Sequence, residues 1–142
     1  MKITSRHVTN CFQSVVDNGR HHGLVLDLPE AKSGDDVGPT ALELAAMALA
    51  GCVSTIWAVI AKNSDCSYRK MIVELDIEKP DNAPTFTKAT LVASIDSDED
   101  QEKLERILEK TMKACPVGRL FEQAGIELPT TLVKKDLLEA KV

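Results

Sequence analysis

From Leu44 to Ala61 the chain runs 18 residues without a charged side chain. A stretch of that length has two outlets, a membrane span of roughly 20 apolar residues or a helix buried at the centre of a protein. Composition decides between them. Alanine makes up much of the run, with Gly51, Ser54 and Thr55 at its middle, and alanine contributes little transfer free energy beside leucine or isoleucine. The expectation is a central helix buried in protein on most sides, with no membrane crossing. Its start is also legible. Thr40 and Glu43 stand at capping-box spacing, where the threonine hydroxyl takes one orphan amide and the glutamate reaches back to another.

With 142 residues and 44% hydrophobic content, there is material for one ordinary core, so a single domain over 1–142 is expected. The 17 basic and 22 acidic side chains leave a net charge of −5. No lysine or arginine cluster has the density that a phosphate backbone demands, so nucleic acid is not expected as a partner. Cysteines occur at 11, 52, 66 and 115, without a CxxC or a close Cys/His spacing, which signals neither a zinc module nor a disulfide framework. His7, His21 and His22 have no cysteine or carboxylate at ligand spacing, and no metal site is expected. The first residues lack the apolar core and cleavage site of a secretory signal. A cytoplasmic protein with reduced thiols follows.

Short extended segments are expected around Lys2 to Ser5, Cys11 to Asp17 and His22 to Leu28, with Asn18-Gly19 as a hairpin turn. Pro29 to Gly38 reads as a flexible, acidic loop. After the long helix, Met71, Val73, Leu75 and Ile77 alternate with Ile72, Glu74, Asp76 and Glu78. Lys88 to Asp96 follows a Pro-Asp-Asn-Ala-Pro turn, giving an antiparallel hairpin solvated on one face. Ser97-Asp-Glu-Asp opens a helix striped by Leu104, Ile107, Leu108 and Met112, which ends at Cys115 and is broken by Pro116. A short helical turn over Phe121 to Gly125, a strand from Ile126 to Val133 and a charged helical tail complete an α+β order.

Gly38-Pro-Thr-Ala-Leu-Glu-Leu-Ala-Ala-Met-Ala-Leu-Ala-Gly-Cys52 resembles the signature helix of the OsmC/Ohr superfamily, and Lys113-Ala-Cys-Pro-Val117 resembles its second signature. The His22 to Asp27 strand and the hairpin and helix between the signatures fall in the expected order, so the likeness covers nearly the whole chain. It implies an intertwined homodimer, with two long central helices flanked by sheets from both chains and sites at the interface. It also implies a thiol-dependent peroxidase for small hydrophobic organic hydroperoxides. Cys52 would attack and Cys115 would resolve, with an external thiol or dithiol as reductant and no bound cofactor.

Chemistry sets conditions on that reading. Burial raises a thiol pKa, so an attacking Cys52 needs a cation nearby. The resemblance suggests an arginine positioned by a glutamate, for which Arg20 and Glu43 are the candidates and Arg6 an alternative. Glu43 precedes Cys52 by nine residues, which places it roughly 180° around and about 13.5 Å along the helix. Only an antiparallel helix of a second copy could bring it to the thiol. The peroxidase branch carries its glutamate ten residues before the cysteine, where this chain has Leu42; the chain resembles instead the broader OsmC-like branch, and the capping box is a competing role for Glu43. Cys115 precedes a proline, and the amides of a following helix would lower its pKa. Cys11, in a strand, and Cys66, in a loop, read as spectators, and Met47 and Trp57 as packing residues. The other reading is a redox-silent dimer that binds a small apolar ligand at its interface.

Overall fold

The computed structural model describes residues 1–136, which form two compact units, Met1–Ala45 and the chain from Ala46 onward. In the first, β1 (Thr4–His7), β2 (Ser14–Asp17) and β3 (Gly23–Leu26) make an antiparallel sheet in that order. Val16 lies opposite Ser5 on one side and Leu24 on the other. The Asn18-Gly19 turn forms as expected: Gly19 takes φ 69°, and the Asn18 amide donates to the His22 carbonyl at 3.1 Å. Cys11 is not in a strand. The Val8 amide donates to the Gln13 carbonyl at 2.9 Å, closing a reversal that holds Cys11 and delays β2 to Ser14. The first strand likewise lies two residues later than expected.

The segment 28–38 is a loop, but an organised one. Buried Asp27 accepts from the amides of Leu28 at 2.8 Å, Asp35 at 3.1 Å and Val37 at 3.3 Å, folding the loop around one carboxylate. Gly34 is required there, since a Cβ would stand 1.8 Å from the Leu28 carbonyl oxygen.

Helix α1 runs from Ala41 to Asn63 and opens with the expected box. The Glu43 amide donates to the Thr40 hydroxyl at 3.2 Å, and the Thr40 amide donates to Glu43 Oε2 at 2.7 Å. Only Leu49, Val53, Trp57 and Ala61 are fully buried, an i, i+4 stripe. The expectation of burial on most sides is therefore corrected for a single chain. Met47 and Val59 are more than half exposed, at 57% and 51%, and α1 has the length and apolarity of a membrane span, as core helices of soluble proteins also do.

Beyond α1, the hairpin forms as β4 (Lys70–Glu78) and β5 (Lys88–Asp96), paired antiparallel from Lys70 opposite Asp96 to Glu78 opposite Lys88. Glu74, Asp76 and Glu78 face solvent, whereas Ala93 to Asp96 are buried at every position, so the expected solvated face is lost at that end. There Arg69 closes over Asp96, donating from Nε at 2.8 Å. Helix α2 (Gln101–Ala114) is capped by Asp100, which accepts from the Lys103 amide at 2.6 Å. Its Leu104, Ile107 and Leu108 join Ala89, Leu91, Ala93 and Ile95 of β5 in the core. Each buried leucine or isoleucine contributes about 1.5–3 kcal/mol.

Helix α3 spans Pro116–Gln123, longer than the turn expected at Phe121, because Pro116 both stops α2 and fits the first position of a new helix. Gly125, at φ 76°, ends the turn. Strand β6 (Thr130–Lys134) pairs with β5 in parallel, Leu91 opposite Thr130. It starts later than Ile126 because Pro129 has no amide to donate. The approach is still anchored, by the Ala89 amide to the Glu127 carbonyl and the Leu91 amide to the Pro129 carbonyl, each 2.8 Å. The charged helical tail lies largely outside the described residues, and Lys134, where it would begin, is the last residue of β6.

Candidate functional site: a pair of thiols

Cys52 and Cys115, 63 positions apart in the chain, lie near enough for the Cys52 thiol to push up the pKa of Cys115. Both are free. Cys52 stands on α1 beside the buried stripe and is half-buried. Cys115 is fully buried and belongs to neither helix: with φ −73° and ψ 109° it ends α2 and caps α3. Local sequence explains this. Pro116 disfavours helical backbone at the residue before it, so the chain leaves the helix for one residue and re-enters.

The cap is made by sulfur. Cys115 Sγ accepts from the Gly118 amide at 3.3 Å. Burial pushes the Cys115 thiol above its ordinary pKa. The Gly118 amide pulls it down, the neighbouring Cys52 thiol pushes it up, and the Val117 amide pulls it down, leaving it raised. Gly118 packs on the sulfur, where a Cβ would sit 3.6 Å from Cys115 Cβ and Sγ and 3.8 Å from Met112 Cε. Cys115-Pro116 was the sequence signal for this cap; the part played by Gly118 emerges only from the geometry.

The remaining candidates lie elsewhere. Arg20 is exposed on the β2–β3 turn, its amide donating to Asn18 Oδ1 at 2.9 Å. Arg6 is paired with Asp17. Glu43 is held in the capping box, whose Thr40 amide, then hydroxyl, keep its carboxyl below the usual range, with Lys32 adding to the effect. Cys11 donates to the Val8 carbonyl at 3.4 Å. Cys66 is buried, and burial followed by the Glu99 charge raises its thiol, against a lowering by Lys103. Trp57 packs edge-on against Tyr68, with ring centroids 6.4 Å apart. Met47 is exposed rather than packed. An open groove of about 550 Å³ between α2, α3 and β6 is lined by Leu108, Met112, Lys113, Arg119 and Leu132 among others, and neither thiol reaches it. Among the described residues, no group of three or more His, Cys, Asp or Glu side chains could hold a metal ion.

Residues 33–131, which contain both cysteines of the pair, match the model of the OsmC family, described as OsmC-like protein. The chain belongs to the OsmC family. Solved structures agree on the fold. An OsmC-like protein from Mycoplasma pneumoniae superposes with a TM-score of 0.84 at 13% identity, covering 95% of this chain and 96% of that one. The organic hydroperoxide resistance protein OhrB of Bacillus subtilis gives 0.66 at 18% identity over 93% and 96%. An organic hydroperoxide resistance protein from Elizabethkingia anophelis gives 0.72 at 18% identity over 94% of each chain. No curated protein sequence matches the chain. Two sheets, a long first helix and two later helices in this OsmC-family chain are thus the α+β OsmC-like fold of those structures.

Proposed function

We propose that this protein is a thiol-dependent peroxidase that reduces small hydrophobic organic hydroperoxides in oxidative-stress defence, working as a cytoplasmic homodimer. The observation that carries this is the nearness of two free thiols, Cys52 and Cys115, from opposite halves of the sequence. The names of its structural neighbours, organic hydroperoxide resistance proteins, support it.

In this reading the Cys52 thiolate attacks the terminal oxygen of a hydroperoxide. An S–O bond forms, the O–O bond breaks, and the alkoxide leaves as the alcohol after taking a proton. The Cys115 sulfur then attacks Cys52 sulfenic acid; the S–S bond forms, and hydroxide departs as water with the proton of Cys115. An external thiol or dithiol reduces the disulfide, and no bound cofactor takes part. Cys52 as attacker fits its partial exposure, and Cys115 as resolver fits its full burial against it. Arg20 is the candidate cation for Cys52. Glu43 enters the chemistry only from the partner's helix, and its capping bonds to Thr40 favour the structural role. The exposed apolar face of α1, with Met47 and Val59, supports burial against a second copy.

One observation favours the other reading, a redox-silent dimer binding a small apolar ligand: burial leaves the Cys115 thiol raised, which suits an inert sulfur. Stopped-flow consumption of cumene hydroperoxide and of hydrogen peroxide by the reduced protein separates the two. The peroxidase is expected to prefer the organic peroxide and to gain an internal disulfide, with Cys115→Ser stalled at a sulfenic acid and Cys52→Ser inactive. Rates equal to those of free cysteine, unchanged in Cys52→Ser, would refute it.

A further inference from the structure

The two sulfurs of the pair have unequal surroundings. Cys52 is half-buried on the side of a helix, while Cys115 is fully buried and receives the amide of Gly118, in the first turn of α3, at 3.3 Å. Cleaving a disulfide with an external thiol requires one sulfur to be reached and the other to depart with the electron pair. Reach decides between them, since Cys52 is partly exposed and Cys115 is not; burial makes Cys115 the slower sulfur to depart, a cost that stabilisation of its thiolate offsets in part. Charge-assisted bonds from amides at a helix start provide such stabilisation.

We propose that the reducing thiol attacks Cys52 of the oxidised pair and that Cys115 leaves, its negative charge received by the Gly118 amide, with Gly118 as the positioning residue. This rests on the Cys52–Cys115 redox pairing proposed above. In the step, the sulfur of an external thiolate bonds to Cys52 Sγ, the Cys52–Cys115 bond breaks, and its electron pair stays on Cys115, which then takes up a proton. A second thiolate attacks the external sulfur of the mixed disulfide, releasing the Cys52 thiolate and a low-molecular-weight disulfide. A Cβ at 118 would make only ordinary contacts with Cys115, at 3.6 Å, so it is the amide of this residue and not its lack of a side chain that the step uses.

The test begins with the full chain oxidised by diamide, so that disulfide formation does not depend on peroxidase activity. Limiting 2-mercaptoethanol is added, the reaction is quenched in acid, free thiols are blocked with N-ethylmaleimide, and the peptides are mapped. The mixed disulfide is expected on Cys52, with Cys115 carrying the maleimide. An adduct on Cys115, or an even split, overturns the proposal while leaving the pairing intact; failure of diamide to form the disulfide overturns the pairing itself. Gly118→Pro deletes the amide, at a position whose N–H makes no bond within the helix, and is expected to slow reduction about fivefold. In a Cys52→Ser background, thiolate absorbance at 240 nm should show a higher Cys115 pKa for Gly118→Pro. Gly118→Ala, which retains the amide, should restore the unsubstituted value. Equal shifts in the two variants overturn the role of the amide.

Discussion

The capping box at the start of α1 offers a direct separation of structure from chemistry. Thr40→Ala leaves the Glu43 amide, now bonded at 3.2 Å, without its acceptor. Losing such a cap costs about 1 kcal/mol. For a chain of 142 residues, that lowers Tm by about 3–4 °C. Glu43 makes the effect dependent on pH. Its folded pKa is depressed, first by the Thr40 amide and then by the hydroxyl, so its contribution is fully present above the unfolded value of about 4.3 and is lost as pH falls through the folded one. Glu43→Gln keeps an oxygen for the Thr40 amide but not the charge. Its Tm is expected to fall slightly below wild type at pH 7, and the gap should close as pH falls through the depressed folded pKa of the glutamate. Differential scanning calorimetry from pH 3 to 7, with cumene hydroperoxide consumption measured on the same samples, gives both readouts. A Thr40→Ala protein with unchanged Tm refutes the cap as a stabilising device. A Glu43→Gln protein with wild-type Tm but abolished peroxide consumption gives Glu43 to the chemistry.

Gly51→Leu adds a side chain where a Cβ meets nothing within 4 Å in the single chain, so folding should survive while the homodimer weakens; a dimer unchanged in sedimentation velocity refutes α1 as its contact. Asp27→Ala removes the acceptor of three loop amides and should speed hydrogen exchange at Asp35 and Val37; unchanged exchange there refutes the organising role. Burial alone would raise the Asp27 pKa, but bonds from the Leu28, Val37 and Asp35 amides and Gln13 leave it depressed. The wild-type loop should therefore loosen as pH falls through the folded value, with the loosening complete below it. Gly34→Ala must displace the Leu28 carbonyl and should lower Tm by several degrees; a Tm within one degree of wild type refutes the close approach.

Features written in neighbouring residues were legible in the sequence. Thr40 with Glu43, Asn18 with Gly19, and the alternation of β4 each depend on a few positions, and each forms as expected. The stripe of Leu104, Ile107 and Leu108 was legible for the same reason. What escaped depends on distant chain or on one atom. The parallel pairing of β5 with β6 joins Leu91 to Thr130 across both later helices, and no local pattern encodes such a partner. A helix following Cys115 was read from Pro116, but its helical turn was placed at Phe121, whereas α3 begins at Pro116 itself. The displacement of Cys11 from β2 turned on the single bond between Val8 and Gln13. The meeting of Cys52 with Cys115 was foreseeable only through resemblance to a family, because no spacing rule links thiols so far apart.

The placement of the core has a consequence for synthesis on the ribosome. Among the described residues, the fully buried apolar side chains begin at Leu49, and most follow Ala61. While the chain is being made, α1 emerges before β4, β5 and α2 exist, its stripe of Leu49, Val53, Trp57 and Ala61 uncovered and no charge along most of its length. Nascent chains that present apolar surface in this way are prone to capture by chaperones or by one another. Burial of that stripe then waits until the later elements of the core have been made.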